Sequence, residues 1–276
     1  MRSCKMPSGN EMPVFGIGTW RMGEGHAKRG AELEAIKYAL ELGYPMIDTA
    51  EMYGDGGAEE IVGEALAGIR ERPFIVSKVY PHNATRSGTI AACERSLERL
   101  RLERIDLYLL HWRGGVRLAE TYEAFFRLRE AGKIADFGVS NFDTGDMEEA
   151  ARLDKGLTGT NQVLYCLSRR GPDHDLLPWM RKRSIPLMAY SPLDQGRLLT
   201  NATLKKLAGE LRCTAAQLAL AWLLAQPGVV TIPKSMTRER VKENFGALDV
   251  KLSADILAEL DRAFPAPKGK QSLEML

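Results

Sequence analysis

The chain of 276 residues is poor in cysteine, in net charge and in long apolar runs. Its four cysteines, Cys4, Cys93, Cys166 and Cys213, are irregularly spaced and form no Cys-x-x-Cys pair. That spacing excludes a disulfide framework and a zinc ribbon, so reduced thiols are expected. The four histidines, His26, His82, His111 and His174, lack paired ligand spacing, and no metal is expected. Lys and Arg total 38 against 36 Asp and Glu, a net charge of +2. Without a basic excess or stripe, nucleic acid is not an expected partner. The longest apolar run, Leu218–Ala225, falls far short of the ~20 residues that a membrane span needs. Met1–Pro13 is polar, broken by two prolines, and lacks the apolar core of a signal peptide. A cytoplasmic protein with no membrane partner is the expectation. A dinucleotide fingerprint is missing too: Gly16-Ile-Gly18 has Arg21 where the third glycine belongs.

What is present is an ordinary globular mix, 45% hydrophobic and 27% charged, arranged as alternating short and long segments. Short β-branched or apolar runs predict strands at Val14–Gly18, Pro45–Ile47, Phe74–Ser77, Asp106–Leu110, Asp136–Val139, Asn161–Val163, Pro186–Ala189 and Val229–Ile232. Helical periodicity predicts helices over Ala31–Leu42, Ala58–Ile69, Arg86–Leu100, Ala119–Ala131, Thr144–Leu153, Asp175–Arg183, Thr214–Ala225 and Arg238–Ala247. Gly43 and Gly132 read as helix stops, and Thr214 as an N-cap. Strand starts recur every roughly 25–40 residues, the span of a βα unit. Eight such units predict a (β/α)8 barrel, with an open doubly wound sheet as the rival. Asn201–Leu211 and Ser253–Ala263 add two helical segments outside the alternation. No linker interrupts the chain, so residues 1–276 are expected to form one domain. Pro265–Lys270 reads as a tail draped over the surface.

In such a barrel the chemistry sits where strands end at their C-termini. The second predicted strand runs into Asp48, the third into Lys78, the fourth into His111 and the fifth into Ser140 and Asn141. The sixth carries Gln162, the seventh runs into Tyr190 and the eighth into Lys234. Any one of these alone fits a loop start or helix cap. Seven on one rim point to a shared site. Asp48, Lys78, His111 and the loop residue Tyr53 include acid, base and orienting groups. A free tyrosine titrates near ~10. Bringing it to ~7–8 takes about 3–4 kcal/mol, and one cation at ~4 Å supplies roughly 4 kcal/mol at an effective dielectric of ~20. By that arithmetic Lys78 suffices to tune Tyr53, with Asp48 holding Lys78 charged.

Several motifs occur in order from Gly16 to Asn244: Asp48-Thr-Ala-Glu-Met-Tyr53-Gly, Ser77-Lys78, Leu109-Leu-His111-Trp, Gly138-Val-Ser-Asn141, Asn161-Gln162, Ala189-Tyr190-Ser-Pro192 and Ile232-Pro-Lys234-Ser. Together they resemble the aldo-keto reductase family. More narrowly, Asp55-Gly-Gly-Ala-Glu59, Ser77-Lys-Val-Tyr-Pro81, Asp175-Leu-Leu-Pro-Trp179 and Pro265-Ala-Pro-Lys-Gly-Lys270 resemble small bacterial methylglyoxal reductases. The resemblance implies an NADPH-dependent reductase of small aldehydes and ketones. Tyr53 would be the general acid, Lys78 would lower its pKa, Asp48 would anchor Lys78, and His111 would orient the carbonyl. Ser140, Asn141 and Gln162 would hold the nicotinamide carboxamide, and Tyr190, followed by Ser191, would stack on the ring. Lys234, Ser235 and Arg240 would clamp the 2′-phosphate, and Glu243 and Asn244 would meet the adenine.

Departures from the family bear on the substrate. Arg113-Gly114-Gly115 follows His-Trp where many relatives have proline, leaving Arg113 to face either a polar substrate or water. Thr237 replaces a further basic group. The short segment after Asn244 implies an open pocket and a small substrate, with Trp20 and Trp112 as candidate walls. A monomer is the expected state. The alternatives are a cofactor-binding regulatory module with little turnover, and a Schiff-base aldolase using Lys78.

Overall fold

The computed structural model describes residues 2–276, the side chain of His26 excepted. An antiparallel hairpin of β1 (Ser3–Lys5) and β2 (Glu11–Pro13) comes first. Eight parallel strands follow: β3 (Ile17–Gly18), β4 (Met46–Asp48), β5 (Phe74–Val79), β6 (Ile105–Leu110), β7 (Ile134–Ser140), β8 (Thr158–Leu164), β9 (Leu187–Tyr190) and β10 (Val229–Thr231). Every strand pairs with its neighbour in sequence. The first and last meet through bridges Phe15↔Thr231 and Gly18↔Lys234, and the Gly16 N–H donates to the Thr231 carbonyl at 3.0 Å. A doubly wound sheet would reverse its strand order at a switch point and leave two edges. Sequential order with closure makes this a (β/α)8 barrel.

The helices are α1 (Arg29–Glu41), α2 (Gly57–Ala65), α3 (Arg86–Leu100), α4 (Leu118–Glu130), α5 (Thr144–Ala150), α6 (Leu176–Arg181), α7 (Ala202–Glu210), α8 (Ala215–Ala225), α9 (Arg238–Phe245) and α10 (Ala254–Ala263). Most of their starts are set by side-chain caps, α1, α2 and α4 excepted. Thr85, Asn201, Thr237 and Ser253 each accept from a backbone N–H in the first turn, and Asp143 and Thr214 complete reciprocal capping boxes. The extra helical segments of the sequence are α7 and α10.

Strand alternation splits the apolar core in two. Ile47, Ile75, Tyr108, Leu110, Val163 and Ala189 face the helices, while Met46, Val76, Leu107, Leu109, Met188 and Val230 fill the barrel interior. Met6 and Met12 join the interior set. Thus Met1–Pro13, expected to be merely polar, carries a hairpin whose turn plugs one end of the barrel. Asn10 donates to Asp136 Oδ2 at 2.8 Å, tying that turn to the second residue before Gly138 on β7.

Pro265–Lys270 is largely exposed, as a tail draped over the surface would be. Beyond Pro265–Lys270 the chain returns to the opposite end of the barrel. Lys270 lies 3.4 Å from Asp175, and Glu274 pairs with Arg169 at 2.8 Å. These contacts lay Met275 and Leu276 along the cavity at the strand C-termini.

Candidate active site

Asp48 ends β4, Lys78 lies on β5, and His111 directly follows β6. Tyr53 sits in the turn between β4 and α2. That turn needs glycine twice. Gly54 has φ +58° with the Gly23 backbone 2.5 Å from where a Cβ would stand, and Gly56 has φ +92° with the Arg99 Nε equally close. The turn just after Tyr53 is thereby packed against the Gly23 backbone and the Arg99 side chain.

The Lys78 side chain is 0% exposed. Its ammonium donates to Asp48 Oδ2 at 2.8 Å, to the Thr49 carbonyl at 2.8 Å and to Tyr53 Oη at 3.3 Å. An ammonium has three protons, and all three are used. Because Tyr53 accepts from Lys78, its own proton is left for another acceptor. Tyr53 lines the cavity, and its ring packs edge-on to the His111 imidazole with centroids 5.6 Å apart. The His111 Nδ1 has no partner.

Burial drives Asp48 up and Lys78 down, each toward its neutral form, and their 2.8 Å contact opposes both shifts. Gln162 reinforces the carboxylate by donating to Asp48 Oδ1 at 2.7 Å from across the barrel. Burial, and then the Asp48 charge, push the Tyr53 phenol well above its ordinary range. The sequence-based value of ~7–8 is therefore not met. That arithmetic counted one cation and neither the desolvation of Tyr53 nor the carboxylate neutralising Lys78. The phenol is accordingly protonated at neutral pH. Burial and the nearby Lys78 charge hold the His111 imidazole well below the usual histidine range, so it is neutral there.

A cavity of about 230 Å³ lies over these groups. Trp20, Trp112, Ser140, Asn141, Gln162, Tyr190, Ser191 and Lys234 all line it. Asn141 takes φ +58° and donates from Nδ2 to the His111 carbonyl at 3.1 Å, while its Oδ1 accepts from the Tyr190 hydroxyl at 2.9 Å. Trp20, Ser191, Pro192 and Lys234 also border a second cavity, which continues to Ser235, Arg240, Glu243 and Asn244. Lys234 and Arg240 bring two cations to a space beside the first turn of α9, whose free N–H groups favour an anion. Thr237 is the cap of that helix, accepting from the Arg240 N–H, so its place is spent on structure.

Arg113 does not line the cavity: its guanidinium pairs with Glu149 at 3.0 Å. Sequence reasoning missed Met52, Met275 and Leu276, which add apolar wall and make the pocket less open than expected. Among the described residues, no group of three His, Cys, Asp or Glu is placed to hold a metal ion. No described helix is long and apolar enough to cross a membrane.

The family model for the aldo/keto reductase family matches residues 14–264. The chain belongs to that family. It is 50% identical to methylglyoxal reductase YeaE of Escherichia coli K12 over 96% of this chain and 95% of that protein. It is 38% identical to glyoxal reductase of Bacillus subtilis strain 168, with 94% and 91% covered. The crystal structure of an aldo/keto reductase from Klebsiella pneumoniae, in complex with NADP and acetate, superimposes with a TM-score of 0.95 at 46% identity, covering 99% of each chain. Family membership makes this barrel that of an oxidoreductase, and its polar rim the place to look for the reduction.

Proposed function

We propose that the protein reduces small aldehydes and ketones with NADPH, and that 2-oxoaldehydes such as methylglyoxal are its substrates. The carrying observation is the Lys78 ammonium, whose three acceptors include Tyr53 Oη and so leave the phenolic proton to the cavity. Bound NADPH would supply the hydride. Tyr53 protonates the carbonyl oxygen, Lys78 stabilises the phenolate left behind, and Asp48 keeps Lys78 charged and in place. His111, neutral, donates a hydrogen bond that orients the carbonyl. Ser140, Asn141 and Gln162 hold the carboxamide, and Tyr190 stacks on the ring. The second cavity suits the other end of the cofactor: Lys234, Ser235 and Arg240 take the 2′-phosphate, and Glu243 and Asn244 the adenine.

The substrate class rests on size and charge. The cavity of about 230 Å³ takes the nicotinamide as well, and the space left against Trp20, Met52, Trp112, Met275 and Leu276 suits a few-carbon carbonyl. Arg113 pairs with Glu149 and does not line the cavity, so no arginine there recruits a carboxylate. The names of the Escherichia coli and Bacillus subtilis relatives support dicarbonyls. The test is NADPH absorbance across a panel of methylglyoxal, glyoxal, simple aldehydes and keto acids. Fastest oxidation with the 2-oxoaldehydes is expected. No oxidation with any carbonyl would overturn the reductase reading, and preference for keto acids would overturn the substrate class.

A further inference from the structure

Glu59 is a carboxylate that the chemistry above does not use, yet its residue is 0% exposed. It lies in the first turn of α2, just past the turn that carries Tyr53. Its oxygens accept from Ser77 Oγ at 2.5 Å and from Arg99 Nε at 2.7 Å, and the second Arg99 nitrogen lies 2.6 Å away. Ser77 immediately precedes Lys78 on β5, and alternation turns it to the helix layer as Lys78 turns into the barrel. Arg99 comes from α3 and lies against the backbone of Gly56, where a Cβ would sit 2.5 Å from its Nε.

Burying a carboxylate where a well-packed apolar side chain would fit costs stability. The charged group does here what an apolar one does not. It accepts directional bonds from the strand of Lys78 and from the guanidinium that backs the Tyr53 turn. It also places a second negative charge in the field of Lys78, after Asp48.

We propose that Glu59 is a positioning residue for the Tyr53–Lys78 pair, locking the turn of Tyr53 to the strand of Lys78 through Ser77 and Arg99. The inference rests on the reading of Tyr53 as proton donor. The groups facing Lys78 are Asp48 from β4, Tyr53 from the turn, Glu59 from α2 behind the strand, and His111 from the end of β6. Glu59→Gln keeps the shape and the Ser77 bond but removes the charge and leaves Arg99 uncompensated. The ammonium of Lys78 then loses its proton more readily. A misplaced donor costs up to about 100-fold, so kcat of Glu59→Gln is expected to fall by about 10- to 100-fold. The alkaline limb of its pH profile should move to lower pH, and NADPH affinity should stay within about twofold, since the variant leaves the cofactor's contacts intact. Glu59→Asp, which restores the charge, should return the alkaline limb toward wild type.

Should Glu59→Gln fail to fold, Ser77→Ala removes one bond alone. It should then lower kcat without moving the alkaline limb, and wild-type kcat would overturn the proposal. A Glu59→Gln enzyme that melts earlier but keeps wild-type kcat and pH profile would make Glu59 a stability residue and overturn it as well. Tyr53→Phe, run alongside, separates the two failures. If Tyr53→Phe turns over like wild type, the functional reading itself fails. If Tyr53→Phe is inactive while Glu59→Gln is unchanged, only the Glu59 proposal fails.

Discussion

The two ends of the barrel are built from opposite materials. At the hairpin end, Met6 and Met12 join Val76, Leu107 and Leu109 in an apolar interior cluster, and Asp136 accepts from Asn10. At the other end, Asp48, Lys78, Gln162 and Tyr53 are buried together, with His111 beside them. Apolar filling is non-directional and tolerates substitution of similar volume. Buried charge costs several kcal/mol or so per ion and persists only where directional bonds repay it. One end therefore supports the fold, and the other consumes part of that support to hold ionisable groups at fixed distances. Mutations at the two ends should separate on axes of stability and rate.

The sharpest break is expected from Lys78→Met. It leaves the Asp48 carboxylate buried without its cation, which costs about 3–5 kcal/mol, and it removes the support of Tyr53. Both melting temperature and kcat should fall, the latter by about 100-fold or more. A soluble variant with wild-type turnover, measured by NADPH oxidation and thermal unfolding, would erase the contrast. Met12→Ala tests the other end. Truncating a fully buried side chain should cost about 2–5 kcal/mol in denaturant unfolding, with kcat unchanged where the protein stays folded.

How much of this contrast the sequence discloses differs between the ends. Much of the rim is legible because its residues end β-branched or apolar runs, as with Asp48 after Met46-Ile47 and His111 after Leu109-Leu110, whereas Tyr53 sits in the turn after β4 and is marked only by its motif. The plug is not. Met6 and Met12 are single apolar residues each followed by a proline, and no period-two pattern marks so short a hairpin. Met275 and Leu276 reach the cavity through Arg169–Glu274 and Lys270–Asp175, contacts between distant residues that leave no local pattern. The Gln162–Asp48 bond spans the barrel and is equally silent. The protonation of Tyr53 is equally silent in sequence, since burial, its main cause, is a property of the fold and not of spacing.

A smaller effect sharpens the division within the mouth itself, between the catalytic cavity and the second one. Arg240→Ala should weaken NADPH roughly tenfold and NADH little, because only NADPH carries the 2′-phosphate. Fluorescence quenching titrations at fixed ionic strength measure both. Equal losses would move Arg240 to packing or to the shared pyrophosphate.

The smallest expected effect is in pH dependence. The folded protein keeps His111 neutral where the unfolded chain, with an ordinary histidine near ~6.5, takes up a proton. Its contribution to stability is therefore present above that pH and is lost as pH falls below it. His111→Gln should flatten the decline in melting temperature between about pH 7 and pH 5 relative to wild type. An identical slope would show that His111 titrates normally in the fold.

In the proposed mechanism Lys78 holds the Tyr53 hydroxyl with its proton toward the substrate. Steady-state NADPH oxidation with methylglyoxal, measured for wild type and Tyr53→Phe beside cofactor titration, tests it most directly. The kcat of Tyr53→Phe is expected to fall by about 10²–10⁴-fold while NADPH affinity is unchanged, because the lost hydroxyl is needed only when the carbonyl oxygen gains its proton. Near-normal turnover in Tyr53→Phe would contradict it.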